Sequence, residues 1–174
     1  MPKILENVRE ELIKEAKKEV LESGYSLLTI RSVAAACHIA PGTVYNYFKS
    51  KDALVAAFMI EDWNENVAKI KKECECATDP LSAITYMYDG IKEFSCAYGA
   101  LFNDAEAKKS YSSAFGLRHG MLIKQLTDIL ESFCKKYARE YTDALSEFIA
   151  ESMLLWCVDD KKKDDFLAVV KQFF

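Results

Sequence analysis

The sequence holds few of the residues that divide a chain into strands and turns: three prolines and six glycines among 174 residues. So few strand-turn signals argue for long, uninterrupted helices. Histidine is scarcer, only His38 and His119, and neither lies in a recognisable nucleophile motif, so Ser/His/Asp chemistry has no foothold. A glycine-rich phosphate loop is also missing. The longest apolar runs, such as Met153 to Val158 and the neighbourhood of Phe94 to Phe102, are far shorter than the roughly 20 residues a membrane span needs. Glu6, Glu10 and Glu11 stand near the beginning, where a signal peptide would carry an apolar core; the expectation is a cytoplasmic protein with no membrane partner. The six cysteines (37, 74, 76, 96, 134 and 157) are scattered. Cys74-x-Cys76 has no second pair at metal-site spacing, so neither a metal nor a cofactor is expected.

What is present is a globular composition, 51% apolar and 29% charged. The net charge of −4 is unevenly spread. Between Gly24 and Lys51 stand Arg31, Lys49 and Lys51 and no acid, so this window carries +3 and leaves −7 for the rest. A polyanion responds to local charge, not to the total.

Periodicity organises the same region. Leu5, Val8, Leu12, Ala16 and Val20 recur at steps of three and four between charged residues, an amphipathic helix over 3–23 that Gly24 should end. Thr29 precedes "IRSVAAA" and can cap a short second helix at 30–36. Pro41 opens a third, where its missing N–H costs nothing, and Val44 with Phe48 gives that helix one buried side. Two short helices joined by a tight turn and braced by a long one make a helix-turn-helix. Thr43, Tyr45, Asn46 and Tyr47 then project from the third helix, Gly42 permits close backbone approach, and Lys49 and Lys51 stand where flanking phosphates would lie. The plainer alternative is a helical hairpin whose tyrosines cover core. Further helices are expected at 52–75, 80–98, 104–115, 117–138, 142–158 and 163–173, about nine in all, with breaks at "TDP" (78–80), Gly99, Gly116 and the charged run 159–165. The expected fold is all-α, with a head at 1–51 and a helical domain at 52–174.

The stretch "TIRSVAAACHIAPGTVYNYFKSKDAL", 29–54, resembles the DNA-binding signature of the TetR/AcrR family of bacterial transcription regulators. That pattern is a Thr-x-Arg-x-Ile/Val-Ala opening, a tight turn, Gly-Thr-Leu/Val-Tyr-x-Tyr/His-Phe and a basic tail. The resemblance implies that Thr29 and Tyr47 hold phosphates, Arg31 reaches a base edge, Thr43 and Tyr45 meet bases or backbone, Asn46 meets the groove or a phosphate, and Lys51 a phosphate. His38 stands where the family usually has glycine, and a left-handed conformation would cost it about 1 kcal/mol. Ala40 replaces a frequent serine, removing a cap worth about 1 kcal/mol.

The resemblance also implies a dimeric, small-molecule-responsive repressor on a palindromic operator. The effector is unknown. Trp63, Tyr86, Phe94, Tyr98, Phe102, Arg118 and His119 are the candidate pocket lining. Leu145, Phe148, Ile149, Ser152, Leu155 and Trp156, with Phe166, Val169, Val170 and Phe173, are the candidate dimer faces, the alternative being closure of the chain's own core. Response to thiol oxidation at Cys74, Cys76 or Cys96, or to a protein partner, is the competing mode of regulation; a small helical enzyme is a remoter one.

Overall fold

The computed structural model describes residues 7–111, 115–136, 142–158 and 162–174. Leu5, residues 112–114, 137–141 and 159–161, and the side chain of Arg118 lie outside the described residues.

Ten α-helices and two 3-10 turns, with no strand, make up the described chain. They are α1 (Val8–Ser23), α2 (Ile30–Ala36), α3 (Pro41–Tyr47), α4 (Lys51–Glu75), α5 (Pro80–Ala97), α6 (Gly99–Asn103), α7 (Ala105–Tyr111), α8 (Phe115–Lys136), α9 (Asp143–Val158) and α10 (Lys163–Val170). The all-α expectation holds. Three local differences have physical causes. A 3-10 turn at Tyr25–Leu27 follows Gly24, whose φ of 89° suits glycine. The single helix expected at 104–115 is preceded by α6. Asp104 ends α6 and starts α7, its Oδ1 accepting from the N–H groups of Glu106 and Ala107 at 2.9 Å. Gly116, expected as a break, is the second residue of α8, inside its first turn, where a glycine does not interrupt the hydrogen-bond ladder.

Contacts divide the chain into two compact units, one of Met1–Asp62 with Tyr98–Ser113, the other of Trp63–Ala97 with Ala114–Phe174. In the first, Leu12, Ala16 and Val20 of α1 are buried, as are Leu28, Val33, Ala34, Val44 and Phe48. Each large side chain buried this way contributes about 1.5–3 kcal/mol over its exposed state. Arg9 adds a cation–π contact to Phe48, 5.7 Å from the ring centroid, and an ion pair to Glu61 at 2.8 Å. The hydroxyl of Tyr98, just before α6, donates to Asp62 on α4, which also pairs with Lys17 of α1 at 2.7 Å.

The second unit closes on its own core of Val67, Ile70, Ile84, Met87, Leu126, Leu130, Ile149, Met153 and Phe166. At the break expected at "TDP", Asp79 and Ser82 cap α5 reciprocally: Ser82 N–H to Asp79 Oδ1 at 3.0 Å and Asp79 N–H to Ser82 Oγ at 3.3 Å. At Gly90, α5 comes so close to α4 that an added Cβ would stand 2.4 Å from Ile70 Cγ1. Asn66 Nδ2 seals the crossing by donating to the Gly90 carbonyl at 3.0 Å.

Candidate nucleic-acid interface

The geometry of the head follows from its caps. Thr29 Oγ1 accepts from the Ser32 N–H at 2.9 Å, and Ser32 Oγ accepts from the Thr29 N–H at 3.0 Å, a reciprocal box that fixes where α2 begins. At its other end the Ile39 N–H reaches the Ala34 carbonyl at 3.0 Å and the His38 N–H the Ala35 carbonyl at 3.1 Å. This is a Schellman closure, and it places His38 at φ 57°, the left-handed position expected from the sequence. Ala40 then precedes α3 with no side-chain cap, also as expected.

On α3 the faces separate cleanly. Val44 is fully buried and Phe48 nearly so, whereas Tyr45 and Tyr47 are 49% and 47% exposed. Half-exposed tyrosines do not serve as core cover, so the plain hairpin alternative loses its main support. Asn46 and Lys49 are exposed, Thr43 half-buried, and Thr29 and Arg31 exposed at the start of α2. Gly42 is exposed, and a Cβ there would meet nothing within the chain. Neither its own packing nor a positive φ asks for glycine, which costs about 1 kcal/mol in a helix relative to alanine; room for an approaching partner is a reason that lies outside the chain.

Lys51 is placed differently from its eight companions. Its ammonium pairs with Glu106 Oε1 at 2.7 Å, lies 3.4 Å from the Tyr25 carbonyl oxygen and sits 4.1 Å from the centroid of the Tyr25 ring. Only 22% of its side chain is exposed. Tyr25 is itself buried and donates to Asp52; burial, then that hydrogen bond, pushes its phenol up to about 12. Reading the sequence alone missed this knot, because Glu106 is 55 positions from Lys51. Glu19 was missed likewise: its carboxylate accepts from Ser32 Oγ at 2.6 Å, beside the start of α2.

The expected pocket residues are distributed over both units. Trp63 is buried, with Nε1 donating to Gln125 at 2.6 Å and its ring edge-on to Phe94 at 5.1 Å. Tyr98 and Phe102 belong to the other unit, their rings 6.4 Å apart, and His119 Nε2 lies 2.8 Å from Glu151. The second unit does carry an open groove of about 560 Å³ between α4 and α5, lined by charged side chains including Lys69, Lys72, Asp89 and Glu93; among the described residues of the expected set, Tyr86 alone faces it.

The expected dimer faces divide in two. Ile149, Phe166 and Val170 are buried in the unit's own core, a correction that follows from their inward positions on α9 and α10. Leu145 and Trp156 are partly buried against that core, and Trp156 Nε1 donates to the Lys162 carbonyl at 3.0 Å. Phe148, Leu155, Val169 and Phe173 are 48–57% exposed, with half-buried Ser152 between the first two. Phe148 and Phe173 meet edge to face at 6.2 Å. Among the thiols, burial pushes Cys74 up to about 11 and Cys157 to about 12, so neither is a ready thiolate; Cys76 and Cys96 are exposed.

Residues 12–58 match the family model described as "Bacterial regulatory proteins, tetR family". Over 83 residues the chain is 26% identical to the HTH-type transcriptional regulator UidR of Escherichia coli strain K12, covering 48% of this chain and 40% of that protein. The chain thus spans less than half the length of the curated relatives it matches. A TetR-family transcriptional regulator from Pectobacterium atrosepticum superposes with a TM-score of 0.68 at 18% identity, over 96% of this chain and 92% of that one. The Thermus thermophilus repressor FadR, solved with lauroyl-CoA, gives 0.63 at 15% identity over 92% and 89%. None of the helices described is long and apolar enough to cross a membrane. Residues 12–58 thus match the tetR-family model, and the described helices take the fold solved for regulators of that family.

Proposed function

We propose that this chain is a cytoplasmic transcriptional repressor that binds an inverted-repeat operator as a homodimer, reads it with α3, and releases it when a small molecule binds the second unit. The observation that carries the reading is the split of α3 into a buried side, Val44 and Phe48, and an exposed side bearing Tyr45, Asn46 and Tyr47. A major groove about 12 Å wide admits one helix, and α3 has the right length and the right residues to enter it. Arg31 at the start of α2 reaches a base edge, while the exposed Thr29 hydroxyl, which donates to Ser32 Oγ at 3.0 Å, turns that hydrogen to a phosphate as its oxygen holds the cap. Dimerisation supplies the specificity that one head lacks. The abundance of aromatic side chains in the second unit suits an apolar or planar effector.

Selection of duplexes from a random pool, repeated at two salt concentrations, tests this directly. The expected product is an inverted repeat with half-sites about one to one and a half helical turns apart. With that operator in hand, Tyr47→Ala should weaken all sequences alike and flatten the salt dependence. Arg31→Ala and Thr43→Ala should relax preference at particular base pairs, each by about 1–3 kcal/mol. Failure to enrich any sequence, or wild-type binding by all three variants, rejects this use of α3.

A further inference from the structure

We infer that Glu106 withholds Lys51 from DNA, so that each head engages one phosphate fewer than its sequence provides for. The inference rests on the proposed DNA binding and adds a residue on α7, outside the helix-turn-helix, that sets its strength. Lys51 is one of only three cations between Gly24 and Lys51. Its ammonium already has a carboxylate at 2.7 Å, a carbonyl oxygen at 3.4 Å and an aromatic face at 4.1 Å. Lys49 makes the contrast: it is exposed, and its described hydrogen bond is to the Tyr45 carbonyl, one turn back, at 3.1 Å.

Two features hold Glu106 in place. Asp104 starts α7 and anchors it, accepting the backbone N–H groups of Ala107 and Glu106 and, at 3.0 Å, the hydroxyl of Ser26 from the 3-10 turn. Tyr25, the buried first residue of that turn, presents both its ring and its carbonyl to the same ammonium. The Glu106 carboxylate therefore stands where a phosphate oxygen would have to stand to use Lys51. The contest is close. The Glu106 side chain is 51% exposed, and an ion pair so open to water is weak, so a phosphate or a displacement of α7 can take the lysine away.

The test is salt-dependent binding of a short labelled duplex of random sequence, since phosphate contacts need no operator. Glu106→Gln keeps the side chain's shape and removes its charge. It is expected to raise affinity about three- to ten-fold at low salt and to steepen the slope of log K against log salt by about 0.9 for each copy of the chain bound. Lys51→Ala in the unaltered chain is expected to leave the slope unchanged. The same substitution in the Glu106→Gln background is expected to erase the gain. A purely structural role for the knot would lower thermal stability in these variants and leave the slope alone. Two results overturn the inference: an unchanged slope in Glu106→Gln, or a slope flattened by about 0.9 in Lys51→Ala alone, which would mean that the lysine already rests on a phosphate. No duplex binding by any variant at the lowest salt would reject the DNA-binding reading itself, and this inference with it.

Discussion

His38 occupies the C′ position of α2 at φ 57°, where glycine is the usual residue. A Cβ in the left-handed region costs about 1–2 kcal/mol, and glycine gives back part of that difference through its freer unfolded state. The first effect wins, so His38→Gly is expected to stabilise the chain by about 0.5–1 kcal/mol, read from the urea midpoint. His38→Val, β-branched at the same φ, should destabilise. A glycine variant less stable than the parent would mean that the imidazole makes a contact worth more than the strain. The histidine's place was visible from the sequence because a family pattern marked the turn; the two-bond closure that forces the conformation was not. The same limit applies at Lys51. The basic residue was legible, but the acid that neutralises it comes from a helix that folds back from residue 106, and charge counted along a window takes no account of chain return.

Among the elements, the long helices were legible almost to the residue, since an apolar stripe at period 3.6 and a cap at each end leave little choice. Helix α4, expected at 52–75, runs Lys51–Glu75, and α9, expected at 142–158, runs Asp143–Val158. What escaped were the short pieces, the Tyr25–Leu27 turn and α6, which are too brief to show a period. Gly90 escaped as well. Its role is set by Ile70, twenty positions away in a different helix, whose Cγ1 and Cδ1 would lie 2.4 and 2.6 Å from an added Cβ. Gly90→Ala therefore opposes two terms, a helix-propensity gain of up to about 1 kcal/mol and an overpacking cost of about 1–3 kcal/mol. The clash prevails, and the variant is expected to be less stable by chemical denaturation. In an Ile70→Ala background, where both clashing atoms are gone, the same change should turn stabilising. The same sign in both backgrounds would show that the helix pair is held apart by something other than Ile70.

For the whole molecule, the decisive question is what covers the apolar strip on α9 and α10. Phe148, Ser152 and Leu155 lie at i, i+4 and i+7 on one face of α9, and Val169 of α10 and Phe173 of the 3-10 turn after it (Lys171–Phe173) add further exposed apolar surface. Ile149, Phe166 and Val170, their neighbours, are spent on the chain's own core, so in the proposed homodimer the strip is what remains for a second copy. Two such surfaces related by a two-fold axis bring like against like, which is how an inverted-repeat reader is built. Leu155 is 57% exposed, so Leu155→Glu should change the stability of the isolated chain by no more than about 0.5 kcal/mol. Across a two-fold axis, however, it sets unpaired carboxylates in an apolar contact. The expected outcome is a monomer by sedimentation, with binding to an inverted repeat lost and weak, salt-sensitive binding to random duplex retained. Leu21→Glu on α1, an exposed leucine of the other unit, serves as the control and should leave the dimer intact. If Leu155→Glu and Phe173→Glu both sediment as dimers, the two-fold contact lies elsewhere on the chain, and the exposed strip then belongs to a different partner.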